Sequence, residues 1–152
     1  MPARKIAVCA ALVGALALST APAAQAAVGA NGNYINSLSR YGHLKDGGIR
    51  VRVQATVSCA ASNGWTNLRL ELSQSIGGTV YTAENDRDNE FSSPLLVCDG
   101  APHVVGMYIW AASGQPAFHK GAATLRANLG GYRSDDSFFS YNMSKSITIK
   151  AT

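Results

Sequence analysis

The sequence is poor in charged residues and lacks any extended helical pattern. Asp, Glu, Lys and Arg make up only 14% of the chain, against the ~25% that is usual for soluble proteins. Hydrophobic residues make up an ordinary 47%, so charge-rich disorder is excluded. Gly has no three-residue period and long Ala/Glu/Lys/Leu runs are missing, which excludes collagen-like and coiled-coil classes. The 152 residues suffice for one domain, with or without a processed segment.

Residues 1–26 have the pattern of a secretory signal peptide. Arg4 and Lys5 form a positive n-region, residues 6–18 form an uncharged apolar stretch, and Ala24-Gln25-Ala26 is a small-x-small cleavage site. The sequence therefore predicts cleavage near Ala27, after which residues 27–152 are exported as a single soluble domain.

Two membrane-attached alternatives compete with the signal peptide. The first is a membrane anchor, but the 13 residues of the apolar stretch are fewer than the ~20 that cross a bilayer. The second is a lipid anchor on Cys9, yet cleavage there would leave most of the apolar stretch on the mature protein. Both alternatives are less consistent with the sequence than export.

Export reduces the positive charge of the chain. The full sequence has 13 basic and 9 acidic residues; without Arg4 and Lys5, 11 basic residues remain and the net charge falls from +4 to +2. The densest basic spacing, Arg50 and Arg52, lies on one face of a predicted strand and accompanies no nucleic-acid motif. We therefore predict no nucleic-acid partner, and no membrane partner once the leader is removed.

The cysteines predict one disulfide. Cys9 leaves with the leader, so Cys59 and Cys98 remain in an exported protein, where such a pair forms a bridge. A thiol nucleophile or a metal pair is the alternative, but a Cys-x-x-Cys spacing is missing. Both cysteines are predicted to point inward, which favours a bridge between two facing sheets.

Alternating side chains predict β-strands along the mature chain. Residues 49–59 alternate strictly between apolar and polar, and the Asp46-Gly47-Gly48 turn pairs this strand with an earlier one around residues 34–44. Gly77-Gly78 joins a strand around residues 68–73 to another at 79–83. The remaining predicted strands cover residues 91–98, 103–112, 123–129 and 146–150.

Seven to eight short strands with regular turns predict an all-β fold. We expect an antiparallel, immunoglobulin-like β-sandwich with one disulfide, and a closed barrel is the main alternative. Trp65 lies only six residues after Cys59, nearer a turn than the core position of the tryptophan in true immunoglobulin domains. The immunoglobulin-like prediction therefore concerns architecture.

Three segments and the leader resemble a known group of proteins. Residues 47–59, Cys98-Asp99-Gly100 and residues 121–125 look like parts of small secreted immunoglobulin-like proteins from high-GC Gram-positive bacteria. The resemblance covers most of the mature chain, although its motifs are loose strand patterns. It implies a sandwich and export, and because these families are largely of unknown function it supplies no catalytic residues.

The polar clusters give only weak signals of chemistry. His43, His103 and His119 lie in or beside different strands without a zinc-ligand spacing. Asp99 and His103 could be imagined in a Ser-His-Asp triad, but a Gly-x-Ser-x-Gly elbow is missing and a polar hairpin loop explains them equally well. We predict no metal site, no cofactor and no enzymatic activity.

Four carboxylates crowd residues 84–90 and could surround a cation. They alternate around Arg87, whose charge offsets theirs, and Phe91 occupies the position where an EF-hand loop needs glycine. A solvated acidic loop is the favoured interpretation. The four residues are Glu84, Asp86, Asp88 and Glu90.

Residues 130–142 form the best candidate binding loop. Their Tyr, Ser, Gly, Asn and Arg content is typical of antibody-like recognition loops, and they lie between the last two predicted strands. The alternative, which we favour, is that Phe138 and Phe139 cover the end of the core or belong to another strand. The candidate binding residues are Tyr132, Arg133, Phe138, Phe139 and Tyr141.

Non-enzymatic binding is the leading functional hypothesis. The predicted partner is an unknown protein or a cell-wall ligand. The alternatives are an inhibitor or effector that blocks a secreted enzyme through residues 130–142, a small-molecule carrier with an apolar cleft, and a hydrolase.

Overall fold

The described residues form eight β-strands and a single-turn 3₁₀ helix. The computed structural model describes residues 32–85 and 96–152, so the predicted signal peptide, residues 1–26, lies outside the described residues. The strands are β1 (Tyr34–Leu38), β2 (Tyr41–Lys45), β3 (Arg50–Ser58), β4 (Asn63–Ile76), β5 (Thr79–Glu84), β6 (His103–Trp110), β7 (Gly121–Arg133) and β8 (Phe138–Lys150), and the 3₁₀ helix is Asp46–Gly48.

The strands form two groups that β2 connects. In the first group β3 is central. β6 pairs with one edge of β3, and β1 and β2 pair with different parts of its other edge; all three pairings are antiparallel. In the second group β8, β7, β4 and β5 are antiparallel neighbours. β2 also pairs with β8 in parallel, with Tyr41 opposite Thr148, and so joins the groups.

Both groups contribute alternate side chains to one hydrophobic core. At most strand positions the inward residues are apolar and the residues between them are polar or exposed, which is the period of two expected of a sheet with one buried face. Gln74 on β4 is a buried polar exception, and its amide forms hydrogen bonds with the backbone of His119. The fold is all-β and mostly antiparallel, and the strand order is compatible with an immunoglobulin-like sandwich. Among the described strands β5 and β6 are not paired, so the barrel does not close. The central core residues are Val51, Val53, Leu70, Leu72, Met107, Ile109, Leu125 and Leu129.

The first predicted hairpin is confirmed with one change. β2 and β3 are joined by the Asp46–Gly48 turn, where Gly47 and Gly48 have positive φ angles of 67° and 94°. The strand predicted around residues 34–44 is not continuous, since residues 39 and 40 divide it into β1 and β2. There the Ser39 backbone N–H donates to the carbonyl of Gln54 (2.8 Å), and the Ser39 hydroxyl accepts a hydrogen bond from the Gln54 N–H (3.2 Å).

The predicted strand over residues 91–98 is not supported. Residues 91–95 lie outside the described residues, and Leu96 to Cys98 have no strand structure. The apolar residues at 96–98 suggested a strand because periodicity does not distinguish a short apolar strand from a loop that packs on the core. Leu96 packs against the core from such a loop.

The disulfide between Cys59 and Cys98 is confirmed, but it does not join facing sheets. The two Cα atoms are 4.6 Å apart. Cys59 directly follows β3 and is buried, whereas Cys98 lies in the loop that leads into β6, the antiparallel neighbour of β3. The Gly100 N–H also donates to the carbonyl of Cys59 at 2.8 Å. The bridge therefore fastens a loop to the end of an adjacent strand.

We expect the double substitution Cys59→Ala/Cys98→Ala to lower the free energy of unfolding by about 4 kcal/mol, because the bridge restricts a long loop in the unfolded chain. Urea unfolding at neutral pH measures the change. Dithiothreitol should destabilise the native chain equally and leave the double variant unaffected. Equal stability of the oxidised native chain and the variant would contradict the prediction.

Candidate functional site

Most of the candidate binding loop is strand. β7 continues to Arg133 and β8 begins at Phe138, so only residues 134–137 form a turn. The two strands pair through the glycines that suggested a loop, with Gly130 opposite Ser140 and Gly131 opposite Phe139. The predicted loop over residues 130–142 is therefore wrong in extent, and the alternative that the two phenylalanines belong to a strand is confirmed.

The alternation of β7 and β8 divides the predicted binding residues between two faces. Tyr132 and Phe138 point outward, whereas Phe139 is buried and Tyr141 packs against the core. Arg133 is half-buried, with its guanidinium 5.5 Å above the Phe139 ring and its Nη1 donating to the Ser137 hydroxyl at 2.9 Å. Only Tyr132 and Phe138 of the five are therefore well placed to contact a ligand.

A tryptophan on β4 completes an exposed aromatic row. Trp65 lies opposite Tyr132, and Tyr132 lies opposite Phe138, so the three rings cross three neighbouring strands. The Tyr132 ring centroid is 6.5 Å from that of Trp65 and 5.5 Å from that of Phe138. Trp65, Tyr132 and Phe138 are 55%, 48% and 62% exposed. Large side chains of this kind are usually buried, so their clustering at the surface makes this row a candidate binding surface.

Two other exposed aromatic rings among the described residues, those of Tyr41 and Trp110, lie beneath cations. Arg40 and Lys150 lie over Tyr41, and the Arg50 guanidinium lies 4.6 Å from the Tyr108 ring and 5.1 Å from that of Trp110. Within the described part of the chain no cation lies over a ring of the aromatic row. No cation of the described residues therefore competes with a ligand for these ring faces.

Polar side chains continue the same outer face beyond the aromatic row. We call Asn67, Arg69, Asn128, Ser140 and Asn142 the polar lane. Asn128 is at its centre, and its Nδ2 donates to the Ser140 hydroxyl at 2.7 Å and to the Asn142 Oδ1 at 2.9 Å. These bonds fix the orientation of the polar groups before any ligand arrives.

A surface groove separates the aromatic row from part of the polar lane. It has a volume of about 350 Å³ and is bounded by the three aromatic rings and by Asn67, Arg69 and Asn128. Gly130 lies between these walls and leaves space that a side chain would fill. The volume is at the small end of the range for ligand sites.

The arginines near the groove are neutralised by carboxylates. Arg69 forms an ion pair with Glu84, and the Nη1 of Arg126 is 3.2 Å from the Oε1 of Glu71. Glu84, predicted as part of an acidic loop, is thus the last residue of β5 and pairs with a strand neighbour. The other three carboxylates of that predicted loop lie outside the described residues.

A close backbone contact holds Trp65 beside Tyr132. A Cβ atom at Gly131 would lie 2.0 Å from the Trp65 carbonyl oxygen and 2.9 Å from the Thr66 Cα. Only glycine allows β4 to approach β7 so closely here. The pairing of β4 with β7 also shifts register between Asn63 and Trp65, so the contact and the bulge together orient the tryptophan.

The remaining candidate residues do not form a second chemical site. His103 Nε2 lies 2.8 Å from the Asp99 Oδ1, and both side chains are partly exposed. Asp99 is in the loop before β6, and His103 is the first residue of β6. The hydrogen bond to His103 lowers the pKa of the Asp99 carboxyl, as does the one from the Ala101 N–H. His43 and His119 lie elsewhere, on β2 and in the loop before β7. Residues 32–85 and 96–152 contain no group of three or more potential metal ligands.

A second groove lies on the basic side of the molecule. It has a volume of about 340 Å³ and is formed where β1 breaks from β2, with Arg40, Tyr41, His43 and Arg52 among its walls. These residues are exposed, and Arg40 already lies over the Tyr41 ring. Exposed basic side chains are ordinarily solvated by water and need no ligand. This groove is therefore a weaker candidate binding site than the aromatic row.

No protein-family model matches the chain, and no curated protein matches it. The resemblance to secreted immunoglobulin-like proteins therefore stays a prediction. Among the described residues, no helix is long and apolar enough to cross a membrane.

We expect Gly131→Ala to lower the free energy of unfolding by roughly 3 kcal/mol, because the added methyl group overlaps the β4 backbone. Gly130→Ala is the matched control: its nearest contacts are 3.3 Å and 3.4 Å, and its stability should stay within about 1 kcal/mol of the native chain. Chemical denaturation measures both. Equal effects of the two substitutions would contradict the close contact.

The turn beside the aromatic row should depend on pH. The Asp135 carboxylate accepts hydrogen bonds from the Ser137 hydroxyl (2.5 Å) and N–H (3.0 Å), and these bonds lower the pKa of Asp135. A lowered pKa in the folded state means that the stabilisation is present above the ordinary carboxyl pKa. It is lost as the pH falls through the lowered pKa.

We expect hydrogen-exchange protection of the Ser137 amide at neutral pH and its loss in acid. Asp135→Ala should remove the protection at every pH, whereas Asp136→Asn, the neighbouring control, should keep it. Amide exchange followed by NMR measures the protection factor. Protection that survives Asp135→Ala would show that the carboxylate does not hold the turn.

Proposed function

We propose that this chain is an exported, non-enzymatic binding module whose ligand contacts the outer face of β4, β7 and β8. The aromatic row carries this proposal: three large rings cluster at the surface without a covering cation in the described residues. Exposed apolar patches rimmed by polar groups mark interaction sites, and the polar lane supplies such a rim. Recognition therefore requires no reactive side chain.

Two features support export. The leader pattern over residues 1–26 is that of a secreted protein. The disulfide between Cys59 and Cys98 is of the kind that forms and persists in oxidising compartments. A secreted binding module uses both features, because the bridge stabilises a small domain outside the cell.

The inhibitor alternative has less support than a binding face. An inhibitory loop must protrude, but the turn over residues 134–137 is short. It is also tied back to the chain, because the Ser134 N–H donates to the carbonyl of Ser62 at 3.1 Å. Deleting residues 134–139 would remove buried Phe139 as well as the turn, so such a deletion cannot separate binding from folding.

Neither of the two grooves lined by described residues provides the enclosed apolar cavity that the carrier alternative needs. The two grooves described above lie on the surface, and each has polar and charged walls. A carrier for an apolar small molecule instead buries most of the surface of its ligand. The open aromatic row is better suited to a ligand that extends beyond the protein.

Affinity capture from culture supernatant and cell-wall fractions tests the proposal. Immobilised residues 27–152 should retain one or more components, and Trp65→Ala/Phe138→Ala should lose them, because both substitutions remove exposed ring surface without changing the core. The control is Trp110→Ala, which removes a ring of comparable exposure, 39%, from β6. It should retain the same components.

The outcome is interpretable once the melting temperatures of all variants agree with that of the native chain. Equal retention by the native chain and Trp65→Ala/Phe138→Ala would reject the outer face as the binding surface. Loss of retention in the Trp110→Ala control alone would move the surface to β3 and β6.

A further inference from the structure

We infer that the ligand of the outer face is an uncharged glycan chain of β-linked hexopyranose units. This inference rests on the proposed function, because it names the chemical class that the aromatic row and polar lane recognise. Three observations carry it: the tilt of the rings, the free groups of the polar lane and the neutrality of the arginines.

The aromatic rings suit the flat faces of sugars. A β-linked hexopyranose with equatorial hydroxyl groups presents axial C–H bonds on each face and hydroxyl groups around its edge. The C–H bonds can stack on an aromatic ring, whose face carries partial negative charge. Trp65, Tyr132 and Phe138 therefore provide apolar contact without requiring a fully apolar ligand.

The tilt of the rings favours a single chain. The planes of Trp65 and Tyr132 differ by 39°, and those of Tyr132 and Phe138 by 65°. A crystalline polysaccharide surface needs coplanar rings, whereas tilted rings form the wall of a groove. A single glycan chain can place one sugar unit in that groove, over Gly130, and continue along the face.

The polar lane has hydrogen-bonding capacity left for hydroxyl groups. Asn128 uses its Nδ2 within the protein, and Asn142 uses its Oδ1, so the Asn128 Oδ1 and the Asn142 Nδ2 can serve a ligand. One group accepts and the other donates. Neighbouring hydroxyl groups of a sugar can do both, so they match this pair.

The charges of the face favour an uncharged ligand. Each arginine is paired with a carboxylate, Arg69 with Glu84 and Arg126 with Glu71, so two positive and two negative charges cancel. An anionic polymer would gain little from these arginines and would be repelled by the carboxylates. Paired charges can instead donate and accept hydrogen bonds at the edge of a neutral sugar.

The length of the face suits several sugar units. From the aromatic row to the row of Glu71 and Arg126 there are three steps of two residues, or roughly 20 Å at the usual rise of a strand. Three strands give a width of about 10 Å. The face therefore accommodates an extended chain parallel to the strands, and oligomers should bind better than single sugars.

Trp65 provides a direct reporter of binding. The sequence has two tryptophans, so Trp110→Phe leaves Trp65 as the only one. Cellohexaose and chitohexaose are the probes, because they share β-linked chains and differ in the acetamido groups of chitohexaose. We expect at least one of them to change the Trp65 fluorescence, with higher affinity than its monosaccharide.

Calorimetry with matched variants confirms the location. Trp65→Ala should weaken the binding of the active hexasaccharide about tenfold or more, because aromatic contacts of this kind contribute much of the binding energy of an interface. Val104→Ala, which changes another exposed side chain on β6, should leave the affinity unchanged. Raising NaCl from about 0.05 M to about 0.5 M should leave the affinity nearly constant, since neither partner presents net charge at the site.

Polyphosphate and a polyproline peptide test the competing ligand classes. If polyphosphate or the peptide binds at Trp65 and both hexasaccharides fail, the glycan inference is overturned while the outer face remains a binding surface. If a hexasaccharide binds equally to the native chain and to Trp65→Ala, its site lies elsewhere and the inference fails. If Trp65→Ala/Phe138→Ala captures the same components as the native chain, the proposed function itself is rejected. Failure of the glycan inference and failure of the proposed function are therefore distinguishable.

Discussion

The burial of alternate leucines on β4 and β7 is the constraint on which the outer face depends. Leu68, Leu70 and Leu72 must be inside together with Leu125 and Leu129, and a strand that slipped by one residue would expose all of its apolar side chains. The core therefore fixes the register of the pair. Once the register is fixed, the side chains of the opposite parity point to the outer face in aligned rows.

This constraint explains which features could be predicted from sequence. The strict alternation over residues 49–59 and the glycine turns at 47–48 and 77–78 are local signals, and the structure confirms β3 and both hairpins. The pairing of Cys59 with Cys98 could be predicted because these are the two cysteines that follow the predicted leader. Its placement between neighbouring strands could not be predicted, because the pairing of β3 with β6 is a long-range choice that local periodicity does not encode.

The aromatic row was missed for a related reason. Gly130 and Gly131 suggested the end of a strand, since glycine is rare in strand interiors. Here Gly131 is required by the approach of the β4 backbone. Trp65 was interpreted as a turn residue, although it shares the outward parity of Asn67 and Arg69. That parity could have predicted that Trp65 lies on the outer face. Its neighbours Tyr132 and Phe138 could not be predicted, because strand pairing over long sequence distances determines them.

The position of the disulfide gives oxidation a role beyond general stability. Cys59 starts the short turn that leads into β4 at Asn63. The Asn63 Oδ1 accepts a hydrogen bond from the Nδ2 of the buried Asn33, the Asn63 Nδ2 donates to the Asn33 Oδ1, and the Asn63 N–H donates to the Ala60 carbonyl. Trp65 follows two residues later. The disulfide thus fixes the chain just before β4, the strand that carries Trp65 of the aromatic row. Reduction of the bridge would therefore loosen the surface that we propose to bind a ligand, and formation of the disulfide would be coupled to that proposed binding.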